Sequence, residues 1–180
     1  MIRIIGGIYK GKRLKKVPSF RVRPMPHKLR ETMFNIIQED IKNSIFLDGF
    51  AGTGSVGIEA LSRGAKSVVF IDEYSPSIKV IKSNLDKCEA EEKARIIRKE
   101  FNRAVIQLAL ESVKFDLVFL DPPYRLLDER NPLKVIKKRE ILKPEGLIIL
   151  RHHFKTRFNA KYYKLQRQTT IGDDTLSFYS

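Results

Sequence analysis

Two short stretches hold the residues best suited to chemistry. The first reads Asp48-Gly49-Phe50-Ala51-Gly52-Thr53-Gly54-Ser55-Val56-Gly57. Small residues there let the backbone turn sharply and approach a ligand closely. Gly52-x-Gly54-x-x-Gly57 satisfies the dinucleotide fingerprint, and Asp72 follows twenty residues after Gly52, where an acid would meet a ribose. A nicotinamide-dependent oxidoreductase is therefore one reading. Asp48 weighs against it, because a pyrophosphate would meet a like charge there, whereas a sulfonium or an ammonium would be attracted.

The second stretch is Asp121-Pro122-Pro123-Tyr124. Paired prolines fix φ and donate no hydrogen bond, so the turn is stiff and its carbonyls are available. An exocyclic aromatic amine is a poor nucleophile, since its lone pair is delocalised into the ring. The Asp121 carboxylate and the Pro122 carbonyl can accept its two N–H bonds, bias the nitrogen toward tetrahedral geometry and aim the lone pair. Tyr124 offers a flat face for an extruded base. Catalysis would then rest on orientation.

Both stretches need a scaffold that delivers them to one edge. Strand-like runs at Ser44–Asp48, Ser67–Asp72, Arg95–Glu100, Phe115–Leu120 and Gly146–Leu150 alternate with helical runs at Val56–Arg63, a segment entered through Ser75 as cap and Pro76, Arg103–Val113 and Pro132–Leu142. Tyr162–Ile171 and Thr175–Tyr179 close the chain as a hairpin around Gly172-Asp173-Asp174. The pattern predicts an α/β fold: a doubly wound, mostly parallel sheet with an antiparallel C-terminal edge. In such sheets ligands bind beyond the carboxyl ends of the strands. Ahead of the core, Ile2–Ile8 and Gly11–Val17 predict a small N-terminal β-ribbon, and residues 28–41 one amphipathic helix. The expected division is a ribbon over 1–26 and a catalytic domain over 27–180, with the ribbon separable because the core sheet starts near Ser44.

Charge bounds the partners. The chain carries 35 Lys and Arg against 21 Asp and Glu, a net +14. Ten of those bases fall in residues 1–30, which contain no acid. Such a block repels itself unless something anionic lies against it, and nucleic acid phosphate is the natural partner. Candidate RNA contacts are Arg3, Lys10, Lys12, Arg13, Lys15, Arg21, Arg23, Lys28 and Arg30. A second acid-free stretch, Arg151 to Gly172, holds six bases. Cys88 stands alone and the histidines number three, so no intrachain disulfide or metal site is expected. The longest apolar runs have strand length, far short of the ~20 residues a transmembrane helix needs. These features predict a cytoplasmic, metal-free protein without membrane contact, and nothing suggests an obligate oligomer.

Asp48-x-Phe50-x-Gly52-x-Gly54 is similar to the loop of S-adenosylmethionine-dependent methyltransferases, and Asp121-Pro122-Pro123-Tyr124 resembles the motif of enzymes that methylate adenine N6, cytosine N4 or guanine N2. Arg3-Ile4-Ile5-Gly6-Gly7, Arg23-Pro24, Arg30-Glu31-x-x-Phe34-Asn35, Glu59-Ala60-Leu61-Ser62-Arg63-Gly64 and Gly172-Asp173-Asp174-Thr175 extend the likeness along the chain, which resembles the RsmD family. The resemblance implies a Rossmann-like class I methyltransferase fold and S-adenosylmethionine as cofactor, with S-adenosylhomocysteine as product. It implies that Asp48, Gly49, Phe50, Ala51, Gly52, Thr53 and Gly54 hold the methionine part, that Asp72 meets the ribose, that Glu100 lies near the adenine, and that Glu73 and Phe101 also contact the cofactor. Lys99-Glu100 replaces the family's usual Gly-Asp pair, and Gly49 replaces a larger apolar residue. The catalytic residues would be Asp121, Pro122, Pro123 and Tyr124. The implied substrate is N2 of guanine 966 in 16S ribosomal RNA, within the small ribosomal subunit or an assembly intermediate. A DNA adenine-N6 methyltransferase and a silent nucleic-acid-binding module on the same scaffold are the alternatives.

Overall fold

A two-stranded antiparallel ribbon, β1 (Ile2–Arg3) and β2 (Arg13–Leu14), opens the chain. Helices α1 (His27–Ile36) and α2 (Gln38–Ile41) follow. Five parallel strands then alternate with helices: β3 (Ile45–Gly49), α3 (Ser55–Ser62), β4 (Ser67–Ile71), α4 (Ser75–Cys88), β5 (Ala94–Ile97), α5 (Phe101–Leu110), β6 (Phe115–Leu120), α6 (Tyr124–Glu129), α7 (Pro132–Arg139) and β7 (Leu142–His153). The hairpin β8 (Leu165–Ile171) and β9 (Asp174–Tyr179) completes a seven-stranded sheet of order β5-β4-β3-β6-β7-β9-β8. This is a computed structural model; it describes residues 1–20 and 22–180, with Tyr124 described by its backbone. The RNA contact expected at Arg21 and the base-stacking expected of the Tyr124 side chain lie outside the described residues.

The central strands are apolar on both faces, as a parallel sheet covered on two sides requires. Phe34, Phe46, Ile58, Phe70 and Leu85 pack one face. Leu47, Val69, Phe101, Leu108, Phe115 and Leu133 pack the other. β3 pairs in parallel with β4 on one side and β6 on the other, so strand order reverses between β3 and β6. That is where a crevice opens at the carboxyl edge of a doubly wound sheet. β9 runs antiparallel to β7 and β8, the expected antiparallel edge.

Several local expectations need correction. The helix expected over 28–41 breaks at Ile37 (φ −97°, ψ 18°). Tyr74, not Ser75, is the N-cap of α4, and it makes no side-chain cap bond; the Asp72 carboxylate accepts the Tyr74 N–H instead, at 2.8 Å. A six-residue helix, α6, starts directly at Tyr124, where the sequence predicts only a turn. β7 begins at Leu142 and runs past Leu150 to His153, with a register shift between its pairings to Phe115 and Leu117.

Buried contacts tie the ribbon to the core. Ile2, Ile4 and Leu14 are buried in the same cluster as Phe34 and Phe70. Glu59 of α3 is fully buried, and its carboxylate accepts the Ile5 and Gly6 N–H groups, each at 2.8 Å. Arg63 Nε donates to the same carboxylate at 2.8 Å, and Arg30 lies 3.8 Å from it. Arg30, expected on the RNA surface, is only 1% exposed and donates to the Arg3 carbonyl. Its guanidinium ties α1 to the ribbon and is withdrawn from solvent. Two backbone donors and two cations thus depend on one buried acid. Glu59→Ala leaves all four without it, and losing one partner of a buried pair costs about 3–5 kcal/mol. At roughly 2–4 °C per kcal/mol for a chain of this size, thermal unfolding should show a melting temperature about 6–20 °C below wild type.

Candidate active site

The crevice between β3 and β6 collects three carboxylates. Asp48, on β3, is 1% exposed, and its Oδ2 accepts the Gly57 N–H at 2.8 Å. Asp72 follows β4; its Oδ2 accepts the Gly52 N–H and its Oδ1 the Tyr74 N–H, both at 2.8 Å. Asp121 follows β6, with its N–H 3.5 Å from the Gly49 carbonyl. Two of the acids therefore clasp the glycine loop from either end. Asp48 holds the first turn of α3, and Asp72 holds the bend before it.

Backbone geometry explains the small residues. Gly52 (φ 57°) and Gly54 (φ 74°) sit in the left-handed region, Gly54 as the N-cap of α3. A Cβ on Gly57 would lie 2.3 Å from the Phe70 ring, so this glycine permits close packing of α3 on β4. Phe50 also takes a positive φ, 66°. Its ring stacks on Phe101 with centroids 4.8 Å apart. A Cβ on Gly49 would lie 2.7 Å from Phe101 and 2.9 Å from Leu120. Phe101, an expected cofactor contact, is 3% exposed and supports the loop from within the core. It also accounts for glycine at position 49.

Ala51, Gly52, Thr53 and Gly54 are all buried. Val22 lies over Gly52, its Cγ1 3.0 Å from where a Cβ would be. Asn84 of α4 is fully buried; its amide donates to the Thr53 carbonyl at 2.9 Å and to the Lys15 carbonyl at 3.1 Å, and its oxygen accepts the Lys15 N–H at 2.8 Å. The glycine loop and the ribbon therefore share one hinge residue. Glu73 is exposed. Glu100 is the N-cap of α5, accepting the Arg103 N–H at 3.1 Å, and lies 3.9 Å from Arg130.

Asp121 has a partner that the sequence did not point to. Arg151 of β7 donates from Nη1 to Asp121 Oδ2 at 2.7 Å, and from Nε to Asp174 Oδ1 at 3.0 Å. The Asp121 side chain is 25% exposed, so it can meet a ligand. Burial pushes its carboxyl up, and the Arg151 guanidinium pulls it back down. Pro122 is buried. The Pro123 carbonyl accepts the Leu126 N–H at 2.8 Å and starts α6. His152 packs in the rim, 4% exposed, with Nε2 2.8 Å from Ser177 Oγ.

Of the expected RNA contacts, Arg3, Lys10, Arg13, Lys15, Arg23 and Lys28 are exposed and Lys12 half-buried. Lys15 Nζ donates to Ser83 Oγ at 2.8 Å and Lys12 Nζ to the Lys87 carbonyl at 3.1 Å. A cavity of about 500 Å³ lies on the α5–α7 flank, lined by Asn102, Arg130, Lys134 and Tyr162 among others; none of the three carboxylates lines it. No helix among the described residues is long and apolar enough to cross a membrane.

An acid-rimmed glycine loop at the switch point, facing an Asp-Pro-Pro-Tyr turn, defines a class I methyltransferase. The chain belongs to the family described as Conserved hypothetical protein 95, the RsmD family, whose model matches residues 2–180. It is 37% identical over 150 residues to the ribosomal RNA small subunit methyltransferase D of Escherichia coli, covering 82% of this chain and 72% of that protein. With the protein of the same name from Haemophilus influenzae it shares 36% identity over 149 residues, 82% and 76% of the two chains. The solved structure of the methyltransferase yhhF from Escherichia coli superposes with a TM-score of 0.85 at 29% identity, covering 99% of this chain and 96% of that one.

Burial holds the Asp48 carboxyl well above the ordinary carboxylate range; the Gly57 N–H opposes this, and the Asp121 and Asp72 charges reinforce it. A carboxyl whose folded pKa is raised binds its proton more tightly folded than unfolded, so its charge destabilises the fold as pH rises through the folded value. Asn keeps an oxygen for the Gly57 N–H and carries no charge. Asp48→Asn should therefore melt a few degrees above wild type at neutral pH, with the gap closing as pH falls toward the ordinary carboxylate range. Melting curves of both proteins across that pH span check it.

Proposed function

We propose that the chain methylates the exocyclic N2 amine of a guanine in small-subunit ribosomal RNA, guanine 966 by family likeness, with S-adenosylmethionine as donor. One observation carries the reading: Asp121, partly open and paired to Arg151, stands beside the Gly49 backbone of an acid-rimmed glycine loop. The names of the relatives support ribosomal RNA as the substrate class.

The residues fit this cofactor better than a dinucleotide. Three carboxylates face one crevice, and the charges of Asp121 and Asp72 already act on Asp48. A pyrophosphate would add to that repulsion, whereas a sulfonium relieves it. Asp48 and residues 49–54 would hold the methionine part. Asp72 uses one acceptor site on each oxygen for Gly52 and Tyr74, which leaves further lone pairs for ribose hydroxyls. Glu73 and Glu100 would border the ribose and the adenine. The bound cofactor supplies an electrophilic methyl group on an excellent leaving group.

What the chain adds is orientation. The Asp121 carboxylate accepts one amine N–H and the Pro122 carbonyl the other, since the Pro123 carbonyl is already engaged by Leu126. Methyl transfer leaves the amine positively charged, and the Asp121 oxygen that holds its hydrogen is placed to accept the proton. Arg151 is a positioning residue whose charge partly offsets the rise that burial imposes on the Asp121 carboxyl.

Incubation with labelled S-adenosylmethionine and protein-free 16S RNA, assembled small subunits or DNA tests the reading. N2-methylguanosine in digested RNA is the expected product, and label in DNA adenine or in no nucleic acid overturns it. Asp121→Ala should lower turnover by about 100-fold or more, the order seen when a single transition-state hydrogen bond is removed, with S-adenosylhomocysteine affinity within a few-fold of wild type. Arg151→Met removes the charge that holds the Asp121 carboxyl down, so activity should fall off at higher pH on the acid side of the kcat profile. An unmoved acid limb would remove Arg151 from this role.

A further inference from the structure

The acid-free run from Arg151 to Gly172 forms the end of β7, the loop after it and β8. Arg151 is engaged by Asp121 and Asp174. The other five bases, Lys155, Arg157, Lys161, Lys164 and Arg167, are exposed, and among the described residues none forms an ion pair with an acid. At the head of this run stands an exposed aromatic, Phe154, with 49% of its surface open.

Phe154 is held in a built turn. Its N–H donates to the Asp173 carbonyl at 3.0 Å, the Thr156 N–H donates to the His153 carbonyl at 2.8 Å, and the Lys155 N–H reaches His153 Nδ1 at 3.1 Å. The His153 ring stacks on Phe154 with centroids 4.7 Å apart at 26°, and Lys155 Nζ lies 5.4 Å from the centre of the Phe154 ring. The turn sits at the catalytic edge. Leu150 pairs with Leu120, Arg151 bonds Asp121, and Phe154 follows three residues later, no more than about 11 Å of extended chain away.

We infer that this turn is a second RNA-binding surface, on which Phe154 stacks an unpaired base next to the target nucleotide while Lys155 and Arg157 hold the adjoining phosphates; this rests on the RNA methyltransferase reading. A flat aromatic face beside cations without acid partners is the chemistry that grips single-stranded nucleic acid, because every base has a π-face and every linkage a charge. Sequence-specific RNA recognition likewise favours unpaired bases splayed onto aromatic rings. The N-terminal ribbon docks on α3 and α4 through Glu59, Ser62 and Asn84. The Phe154 turn lies across the crevice, on the β7–β9 side. A strand held by both arms passes over Asp121.

The test measures binding of a fluorescently labelled, protein-free 16S RNA transcript to the full chain across a range of salt concentrations. Phe154→Ala should weaken binding by about 5- to 100-fold, the range for loss of one stacked base, and leave the salt slope unchanged. Phe154→Trp should bind like wild type. Lys155→Gln with Arg157→Gln should flatten the plot of log affinity against log salt by about 0.7–0.9 for each phosphate no longer neutralised. All variants should keep wild-type melting temperature and S-adenosylhomocysteine affinity. If Phe154→Ala binds the transcript as wild type does, the stacking surface is overturned and the methyltransferase reading stands. If the effect appears only with assembled subunits, the patch belongs to a protein partner and the inference is equally overturned. If wild type binds S-adenosylhomocysteine but no RNA, the proposed function falls and takes this surface with it.

Discussion

Three carboxylates brought to one sheet edge set the terms for the rest of the molecule. The charges of Asp72 and Asp121 both act against a charge on Asp48, and burial raises the cost of ionising all three. Each is answered by a different device. The first turn of α3 offers Asp48 a backbone N–H, and the bend before α3 offers another to Asp72. Only Asp121 meets a full positive charge, from a side chain two strands away from the glycine loop. The two acids answered by N–H groups shape the loop, whereas the acid answered by Arg151 stays partly open to solvent.

The same buried polar logic joins the ribbon to the core. Glu59 lies on α3, the helix whose start Asp48 fixes, and it receives two ribbon N–H groups. Asn84 on α4 then links the ribbon backbone at Lys15 to the loop carbonyl at Thr53. The segment that carries the N-terminal positive charge is part of the wall of the crevice.

What the sequence revealed, and what it hid, follows from the range of each interaction. The parallel core, its antiparallel edge and the glycine loop were legible because apolar runs, turn residues and a strand-end acid are local patterns. Arg151 was not, because its partner lies thirty residues earlier and a base inside a basic run looks like a solvated one. Arg30 misled for the same reason: a charge run suggests exposure, while the acid that buries it, Glu59, comes from another helix. Phe101 follows β5, a position that suggests a ligand nearby, but the lack of a side chain at Gly49 lets its ring turn inward. α6 was hidden because six residues are too few to show a helical period.

Charge is finally arranged by sign and distance rather than by net amount. The chain is at +14, yet at its crevice the charges of Asp72 and Asp121 act together on Asp48. A polyanion would be drawn to the ribbon and to the Lys155–Arg167 arm, and its phosphates would be turned away from the three carboxylates between them. The centre then accepts what carries no negative charge: an uncharged base swung out of its strand and a cationic methyl donor. On the proposed function, that division would let a partly open carboxylate lie between two RNA-binding arms. Removing its charge would lower the repulsion that keeps phosphate out as well as the hydrogen bond that holds the amine. On the proposed function, Asp121 would favour an uncharged base over its phosphates before it orients anything.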